Sequence, residues 1–389
     1  MVLLVKISLN QVKCKTENWL RAKIYQTNKM EQRINKLQQT LASGKMDALI
    51  VTNPANIYYL TGINNFDSEK GFLLVIAEND WKIITSRFYQ NRVETAVSQN
   101  RVVYVERGDS MSKNAATFIG DRLRVGFERG DVSYAQFEVF KTAFRKKKLV
   151  PAGGFIEQMR QIKDETELAL IKKAAAITDK TFAQVLPLIK PGVTELQLKR
   201  KITEIMQDLG ASGGSFDPIV ASSKYAADPH YEGANKKIKT GEMIVIDMGA
   251  RYKNYDADMT RMVFVGKATE KYRRLYQIVA ETQELALKDC VLGTPLSQAF
   301  DNCVANFRKY GEDEYFTHGL GHGTGIEIHE EPSLSPSGMG SFENGMVFTV
   351  EPGLYHPGWG GIRIEDLCAM VGGKTVILSK TPKRLIEIK

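Results

Sequence analysis

The spacing of hydrophobic positions changes along the chain and predicts distinct regions. The first 29 residues show no steady period, and helical spacing begins after Met30, where Ile34, Leu37 and Leu41 share one face. From Asp47, short apolar runs alternate with turn signals and helical segments, which is the pattern of a compact α/β domain. The predicted elements are strands at Ala48–Val51, Phe72–Ile76, Lys82–Thr85, Val102–Val105 and Arg124–Phe127, a turn at Asn53-Pro54, and a helix over Tyr134–Arg145.

The stretch Pro151–Gly154 predicts a domain boundary, and a second domain with different patterning follows it. A charged helical pattern starts at Ile162 and carries the apolar stripe Leu168, Ile171 and Ala175. Further helices are predicted among strands, from Thr194 to about Leu209, over Glu270–Lys288 and over Pro295–Lys309. The pattern therefore predicts an N-terminal extension (1–29), a smaller α/β domain (30–154) and an α+β domain (155–389).

Composition narrows the class of protein without identifying it. The 389 residues are enough for two domains, and no apolar run reaches the roughly 20 residues that span a bilayer. The four cysteines form no C-x-x-C pair, which is typical of reduced thiols in a cytosol and disfavours a disulfide framework or a thiolate zinc site. The net charge of +8 is densest at Arg145–Lys148, which has no interleaved aromatics, so a solvated basic face is favoured. We therefore expect a cytoplasmic protein with no nucleic-acid or membrane partner.

Candidate chemistry concentrates in FTHGLGHGTGIEIHEEP, from Phe316 to Pro332. This stretch holds three of the five histidines, His318, His322 and His329. Imidazole is a neutral metal ligand and the general acid or base closest to neutral pH, and the interspersed glycines let the backbone approach a ligand closely. Since the predicted N-terminal domain contains no histidine, catalysis is expected in the second domain.

Two stretches of the second domain resemble each other, at an offset of 104 residues up to the first acid of each and three residues more at the second. In each, an apolar strand ends in an acid, turns, and returns with a second acid, namely Asp247 and Asp258 in one copy and Glu351 and Glu365 in the other. This pattern predicts an internal duplication with pseudo-two-fold symmetry. With Tyr252-Lys253 at the tip of the first hairpin, Asp247 and Asp258 would lie directly opposite each other, about 5 Å apart on one face.

Carboxylates that converge in a buried sheet repel one another unless a cation lies between them. Four acids at matched positions, with a histidine cluster between the copies, therefore predict a metal site rather than separate edge-strand ion pairs. Carboxylates with one imidazole favour hard or borderline cations, with manganese preferred and cobalt and zinc as alternatives. Five protein ligands are too many for one catalytic ion with an open position, so the set predicts two bridged divalent ions.

Asp247, Asp258 in YDADMTR, His322 in HGLGHGTG, Glu351 in VEPG and Glu365 in RIED resemble the five metal ligands of the M24 metallopeptidases. The resemblance covers roughly residue 162 to the C-terminus. It implies the pita-bread fold of methionine aminopeptidase, aminopeptidase P and prolidase. It also implies that Asp258 and Glu365 bridge the two ions, that Asp247 chelates one ion, and that His322 and Glu351 hold the other.

The same resemblance implies roles in catalysis and substrate binding. His230, in ADPHY, is similar to the histidine that sits over the scissile peptide, and His329 to the one that hydrogen-bonds the developing oxyanion. His318 is similar to the histidine that lines the proline pocket, and Arg363 to the arginine beside the carboxyl side of the substrate. Glu351 would also carry the proton to the leaving proline nitrogen.

In the N-terminal domain, NIYYLTG at Asn56–Gly62 resembles the creatinase/prolidase N-terminal domain and indicates the Xaa-Pro branch of the family. The implied function is hydrolysis, by a metal-bridging hydroxide, of the Xaa-Pro bond in peptides with proline at the second position or in Xaa-Pro dipeptides. A homodimer is the implied assembly. Departures from the family pattern, which affect substrate preference more than activity, lie at Ser86, Tyr225, Asn254 and Ala257.

Several readings of the activity stay open at this stage. The specificity could be that of aminopeptidase P or that of prolidase, since both share the motifs. Alternatives are an M24 aminopeptidase of other specificity, and a non-peptidase protein of the same fold, either creatinase-like or a binding module. The non-peptidase alternatives are disfavoured because such proteins lose metal ligands, whereas all five positions are filled here.

Overall fold

Residues 27–64 and 71–388 are described by a computed structural model, and the chain forms two units that divide between Glu157 and Gln158. This division falls three residues beyond the predicted boundary at 154. Most of the predicted N-terminal extension lies outside the described residues. Among the described helices, none combines the length and the apolar character needed to cross a membrane.

The first unit is built on one six-stranded mixed sheet with the strand order β4-β3-β2-β1-β5-β6. Strands β1 and β5 pair in parallel, as do β3 with β4 and β5 with β6, whereas β2 is antiparallel to both of its neighbours. Ile50, Val75, Val125 and Phe140 form part of its buried core. The elements are α1 (27–43), β1 (Ala48–Val51), α2 (Pro54–Thr61), β2 (Phe72–Ala77), β3 (Trp81–Ser86), α3 (Gln90–Ala96), β4 (Val102–Val105), α4 (Met111–Ile119), β5 (Arg124–Glu128), α5 (Tyr134–Ala143), β6 (Lys148–Ala152) and α6 (Phe155–Gln161), within which the division falls.

The five strands predicted in this unit are present, but Asn53-Pro54 is not a turn. Asn53 is instead the N-cap of α2, and its side chain accepts a hydrogen bond from the Asn56 amide at 3.0 Å. Pro54 occupies the first helical position, where proline's missing N–H has no cost. Helices α3 and α4 and strand β6 were not predicted. Pro151 lies in β6, an edge strand that tolerates proline.

In the second unit, helices pack against two larger sheets whose strands are antiparallel except for the parallel pair β12 and β20. Both faces of β9 are buried, since Ile244 and Ile246 face α7 and α8 while Met243 and Val245 belong to the cluster formed with α9 and α10. The four predicted helical regions are present. The elements are α7 (Glu165–Val185), α8 (Glu195–Asp208), β7 (Gly213–Gly214), β8 (Ile219–Ser222), β9 (Met243–Asp247), β10 (Ala250–Tyr252), β11 (Tyr255–Asp256), β12 (Thr260–Val265), α9 (Glu270–Asp289), α10 (Leu296–Lys309), β13 (Gly321–Gly323), β14 (Glu330–Leu334), β15 (Val347–Val350), β16 (Gly353–His356), β17 (Gly360–Arg363), β18 (Asp366–Val371), β19 (Lys374–Ile377) and β20 (Ile386–Ile388).

The two stretches that repeat in sequence occupy corresponding places in two sheets. One sheet has the order β20-β12-β9-β8 and the other the order β14-β13-β15-β18-β19. In each, an antiparallel pair, β9 with β12 or β15 with β18, is interrupted by a smaller hairpin, β10–β11 or β16–β17. Matched strands thus end at matched acids, as the sequence repeat predicts.

The predicted register of the first hairpin is wrong by two positions. Tyr252 pairs with Tyr255, so the tip is Lys253-Asn254, and Asp247 pairs with Thr260 rather than with Asp258. Both tip residues have positive φ, 49° and 62°, as a two-residue hairpin turn with the twist of its strands requires. The register is therefore set by the tip residues Lys253 and Asn254, which adopt the positive φ angles that the turn needs.

Candidate metal centre

A cavity of about 1130 Å³ opens among the sheets of the second unit. Its lining includes all nine side chains that the sequence singled out as candidate ligands, catalytic groups or substrate contacts. These are His230, Asp247, Asp258, His318, His322, His329, Glu351, Arg363 and Glu365. Residues separated by up to 135 positions in the chain therefore share one site.

Strand ends deliver the five candidate ligands to this cavity. Asp247 is the last residue of β9, and Asp258 precedes β12. His322 lies on β13, Glu351 follows β15, and Glu365 lies between β17 and β18. Because strands end where their sheet meets the cavity, the side chains converge there without help from a long loop.

Two glycines allow this convergence by close backbone approach. A Cβ on Gly249 would lie 1.7 Å from the Ala257 carbonyl oxygen, next to Asp258. A Cβ on Gly321 would lie 2.0 Å from the Thr349 carbonyl oxygen. Any larger residue would push apart the strands that carry the ligands.

The ligand atoms are close enough to share cations. Single ligand atoms of Asp258, His322 and Glu365 all lie within 4.8 Å of one another. His322 Nε2 lies 3.3 Å from Glu351 Oε1 and 3.7 Å from Asp258 Oδ2. His322 Nδ1 lies 3.0 Å from the Gly323 carbonyl oxygen, which can only accept, so Nδ1 carries the proton. The free lone pair on Nε2 therefore faces the carboxylates.

The electrostatics of the cluster require a compensating charge. Burial raises the pKa of Asp258 well above its usual range, and the neighbouring charges of Glu365, Asp247 and Glu351 add to the shift. Burial and the charges of Glu351 and Asp247 do the same to the pKa of Glu365, whereas burial lowers the pKa of His322. Carboxylates that resist ionisation beside a neutral imidazole fit a site completed by cations.

Two buried oxygens support the same fit. Among the described residues, Asp247 Oδ1 and Asp258 Oδ1 are buried without any hydrogen-bond partner. Buried polar atoms are rarely left unpaired in folded proteins. Unpaired carboxylate oxygens aimed at a shared cavity are the oxygen donors that divalent cations prefer. The residues present thus suit the two divalent ions expected from the sequence.

Arg363 lies within the cluster and has three protein partners. Its Nη2 donates to Asp247 Oδ2 at 2.6 Å, its Nε to Thr260 Oγ1 at 3.0 Å, and its Nη1 to Tyr355 Oη at 2.8 Å. Its side chain is almost completely buried. In this structure Arg363 therefore fixes the ligands and lines the cavity wall.

His318 continues the hydrogen-bonded chain from Arg363. Its Nδ1 donates to the Gly319 carbonyl at 2.6 Å, so Nε2 accepts from the Tyr355 hydroxyl at 2.9 Å. Burial lowers the pKa of His318. The imidazole is thus held neutral and in one orientation at the cavity wall.

His329 and His230 are the more exposed histidines of the cavity. The His329 ring contacts the His322 ring with centroids 4.3 Å apart, and partial burial with His322 nearby lowers the pKa of His329. His230 lies on the irregular segment before β9, with its side chain exposed at the cavity. Both rings can therefore meet a ligand that enters from solvent.

Sequence reasoning missed the residues that hold the ligands in place. Thr260 donates to Glu365 Oε2 at 2.7 Å, and Thr349 donates to Glu351 Oε1 at 3.2 Å while accepting from the His322 amide at 3.0 Å. Both threonines lie on strands, where threonine is common, so their type carries no signal. Only their position two residues from a candidate ligand, Asp258 for Thr260 and Glu351 for Thr349, could have indicated them.

Comparison with known proteins places this geometry in a family. Residues 169–371 match the model of metallopeptidase family M24, and residues 33–162 match the creatinase/prolidase N-terminal domain. The chain is 32% identical to an Xaa-Pro dipeptidase of Pyrococcus furiosus, over 92% of this chain and all of that protein.

Solved structures give the same result. An Xaa-Pro dipeptidase from Bacillus anthracis superposes with a TM-score of 0.87 at 30% identity, covering 92% of this chain and all of that one. An X-Pro aminopeptidase from Thermotoga maritima gives 0.80 at 31% identity, covering 88% and 98%. The expected fold class is confirmed, since the smaller α/β domain precedes an α+β domain of the pita-bread type. The chain belongs to metallopeptidase family M24.

Proposed function

We propose that this protein is a dinuclear-metal peptidase that hydrolyses the Xaa-Pro bond. The observation that carries the proposal is the buried cluster of four carboxylates and a neutral imidazole, with two unpaired oxygens, at the wall of a cavity of about 1130 Å³. A peptide can enter such a cavity, and Arg363, the arginine within the cluster, forms an ion pair with only one of the four acids, Asp247. The relatives named as Xaa-Pro dipeptidases and an X-Pro aminopeptidase support the choice of bond.

The proposed ligands divide between two ions. Asp258 and Glu365 would be shared by both ions, Asp247 would hold one, and His322 with Glu351 would hold the other. Manganese is preferred because oxygen donors dominate the set, with cobalt and zinc as alternatives. When bound, such ions provide a nucleophilic oxygen from water at neutral pH and polarise the peptide carbonyl.

The remaining steps fall to side chains of the chain itself. His329 donates a hydrogen bond to the carbonyl oxygen as negative charge develops on it. Glu351 carries a proton to the proline nitrogen, which has no N–H in the peptide and must be protonated to leave. In this proposal His230 sits over the scissile peptide, His318 lines the pocket for the proline ring, and Arg363 lies beside the carboxyl side of the substrate.

The length of the substrate distinguishes an Xaa-Pro dipeptidase from an Xaa-Pro aminopeptidase. Relatives of both kinds match the chain over most of its length. The test is hydrolysis of Xaa-Pro dipeptides and of tripeptides with proline in second position, after manganese loading. Release of proline from dipeptides alone identifies a dipeptidase, and cleavage of the tripeptide identifies an aminopeptidase. If neither is cleaved, the enzymatic proposal fails, and a binding module of this fold becomes the better account.

The proposal includes a cytoplasmic homodimer. Three cysteines among the described residues are free and buried, which suits a reducing compartment. The dimer is proposed from family resemblance, and sedimentation of the purified protein tests it.

A further inference from the structure

His230 faces the cavity from a segment without regular structure. This segment, residues 228–234, is called the His230 segment below. The His230 amide donates to Asp228 Oδ1 at 3.0 Å, but its ring has no hydrogen bond among the described residues. The position of the ring therefore depends on how the backbone of this segment is held, because an exposed loop side chain has many rotamers.

The residues after His230 are held by one buried carboxylate. Tyr231 Oη donates to Glu195 Oε2 at 3.0 Å, and the Ala234 amide donates to the same oxygen at 3.2 Å. The other oxygen, Glu195 Oε1, accepts from the amide and the hydroxyl of Ser222 at 2.9 and 2.6 Å. Glu195 thus joins the end of β8 to the His230 segment.

Glu195 is itself rigidly placed. It is fully buried, in the first turn of α8, and Thr194 caps that helix with Gln197 in a reciprocal capping box. One turn later, the Lys199 ammonium donates to the carbonyl oxygen of Glu232. Helix α8 therefore contacts the His230 segment at two points on the C-terminal side of His230.

Two stacked tyrosines offer an internal comparison. The rings of Tyr225 and Tyr231 lie 5.1 Å apart at an interplanar angle of 22°. Burial and the neighbouring Glu195 raise the pKa of Tyr231 to about 12, so its hydroxyl stays a donor. The Tyr225 hydroxyl, in contrast, makes no hydrogen bond among the described residues, and Tyr225 is partly exposed.

We propose that Tyr231 is a positioning residue, which acts through Glu195 to hold His230 over the substrate. The inference rests on the proposed peptidase function, because it assigns the substrate contact to His230. The hydrogen bond joins a neutral hydroxyl to a buried carboxylate, which is the stronger class of such bonds. Its loss removes the attachment next to His230 and loosens the His230 segment, while the ring stack with Tyr225 and the contacts of Glu232 and Ala234 persist.

The test compares Tyr231→Phe with the matched control Tyr225→Phe in the manganese-loaded enzyme. Tyr231→Phe should raise KM for an Xaa-Pro peptide about 3- to 10-fold with little change in kcat. It should also speed amide hydrogen exchange in residues 228–234, whereas Tyr225→Phe should leave that exchange at the wild-type rate. Equal amide hydrogen-exchange rates in residues 228–234 of the two variants would overturn the inference. If the wild-type protein does not hydrolyse Xaa-Pro peptides, the proposed function fails instead. The hydrogen-exchange comparison would then still show whether Tyr231 holds the His230 segment.

A double-mutant cycle separates positioning from general loss of structure. In a His230→Ala background, Tyr231→Phe should change KM less than about twofold, because the residue it positions is gone. The same 3- to 10-fold penalty in both backgrounds, to within about twofold, would show that Tyr231 does not act through His230. Glu195→Gln leaves one carbonyl acceptor for the four groups that donate to Glu195, so it should also raise KM and speed amide exchange in residues 228–234.

Discussion

Thr260 donates a hydrogen bond from Oγ1 to Glu365 Oε2 at 2.7 Å, and both residues are buried. In the β9–β12 ladder Thr260 lies opposite Asp247. In the second copy, Glu365 directly precedes Asp366, which pairs with Val350 at the end of the β15–β18 ladder. The hydrogen bond between Thr260 and Glu365 therefore joins the strand pair that carries Asp247 to the segment of the second copy that carries Glu365.

Replacing Thr260 tests how much this hydrogen bond supports the site. Thr260→Val keeps the shape but removes the donor to Glu365 and the acceptor for Arg363 Nε. Partners that orient metal ligands typically contribute 10- to 100-fold to affinity or activity, so a loss of about that size is expected in kcat/KM or manganese affinity. Thr260→Ser keeps the hydroxyl and should stay within a few-fold of wild type. A fully active, fully metallated Thr260→Val enzyme would exclude a role for the hydroxyl.

Removing His329 tests the assignment of oxyanion stabilisation. His329→Ala should keep its metal, because His329 is not among the proposed ligands, but should lose about 100-fold in kcat. His329→Gln retains a hydrogen-bond donor, so its kcat should fall between those of wild type and His329→Ala. The measurements are steady-state kinetics and metal analysis of the same protein samples. An unchanged kcat in the alanine variant contradicts the assignment.

Metal removal should destabilise the protein more as pH rises. The pKa values of Asp258 and Glu365 are raised in the folded, metal-free site, so folding binds protons that the unfolded chain has released. The stability of the metal-free form should therefore fall as pH rises above about 4, the ordinary carboxyl range. Manganese at about 100 times its Kd should restore about 2.7 kcal/mol. Scanning calorimetry with and without chelator at pH 5.5 and 8 measures both effects, and a chelator effect that does not grow with pH contradicts them.

Glu128 provides a pH-dependent test in the first unit. Burial raises its pKa to about 7, from an ordinary value of 4.5, although it accepts from the Asn53 amide and the Asn56 side chain. Its stabilising contribution is therefore complete below pH 4.5 and is lost as pH rises through 7. Glu128→Gln cannot titrate, so its free energy of unfolding relative to wild type should rise by up to about 3 kcal/mol between pH 4.5 and 8.

Denaturant unfolding across this pH range measures the Glu128 effect. The glutamine cannot accept from every donor around it, so the variant is expected to start from lower stability at pH 4.5. Glu106→Gln, at an exposed position of the same unit, serves as the matched control and should follow wild type. A constant difference between Glu128→Gln and wild type at every pH would contradict the titration.

The sequence predicted which side chains come together at the cavity, but not the hydrogen bonds and the strand register that hold them there. The acids could be recognised because Asp247 ends an apolar strand and its copy, Glu351, repeats that position. The hairpin register was wrong because the tip was placed by symmetry about the acids. The positive φ of Lys253 and Asn254 decides it instead, and backbone energy at a tip is not visible in hydrophobic spacing.

Short sequence patterns also gave a wrong prediction, or none, where a residue distant in the chain determines the local structure. Asn53-Pro54 is a common turn pair, yet Asn53 caps a helix whose first turn also contacts Glu128, a residue 75 positions away. The anchor from Tyr231 to Glu195 spans 36 positions and follows no motif. Such pairs depend on the packing of α8 against the sheet, which residue type alone does not specify.

The central claim is that five side chains from both copies of the repeat hold two divalent ions for hydrolysis. The most direct measurement is metal content and Xaa-Pro hydrolysis of wild type and Glu365→Ala, purified and loaded with manganese in parallel. Wild type should bind two ions per chain, as dinuclear sites do, and cleave the substrate. Glu365→Ala, without a bridging ligand, should bind fewer ions and show no measurable cleavage. A Glu365→Ala protein that keeps the full metal content and the wild-type rate would contradict the account.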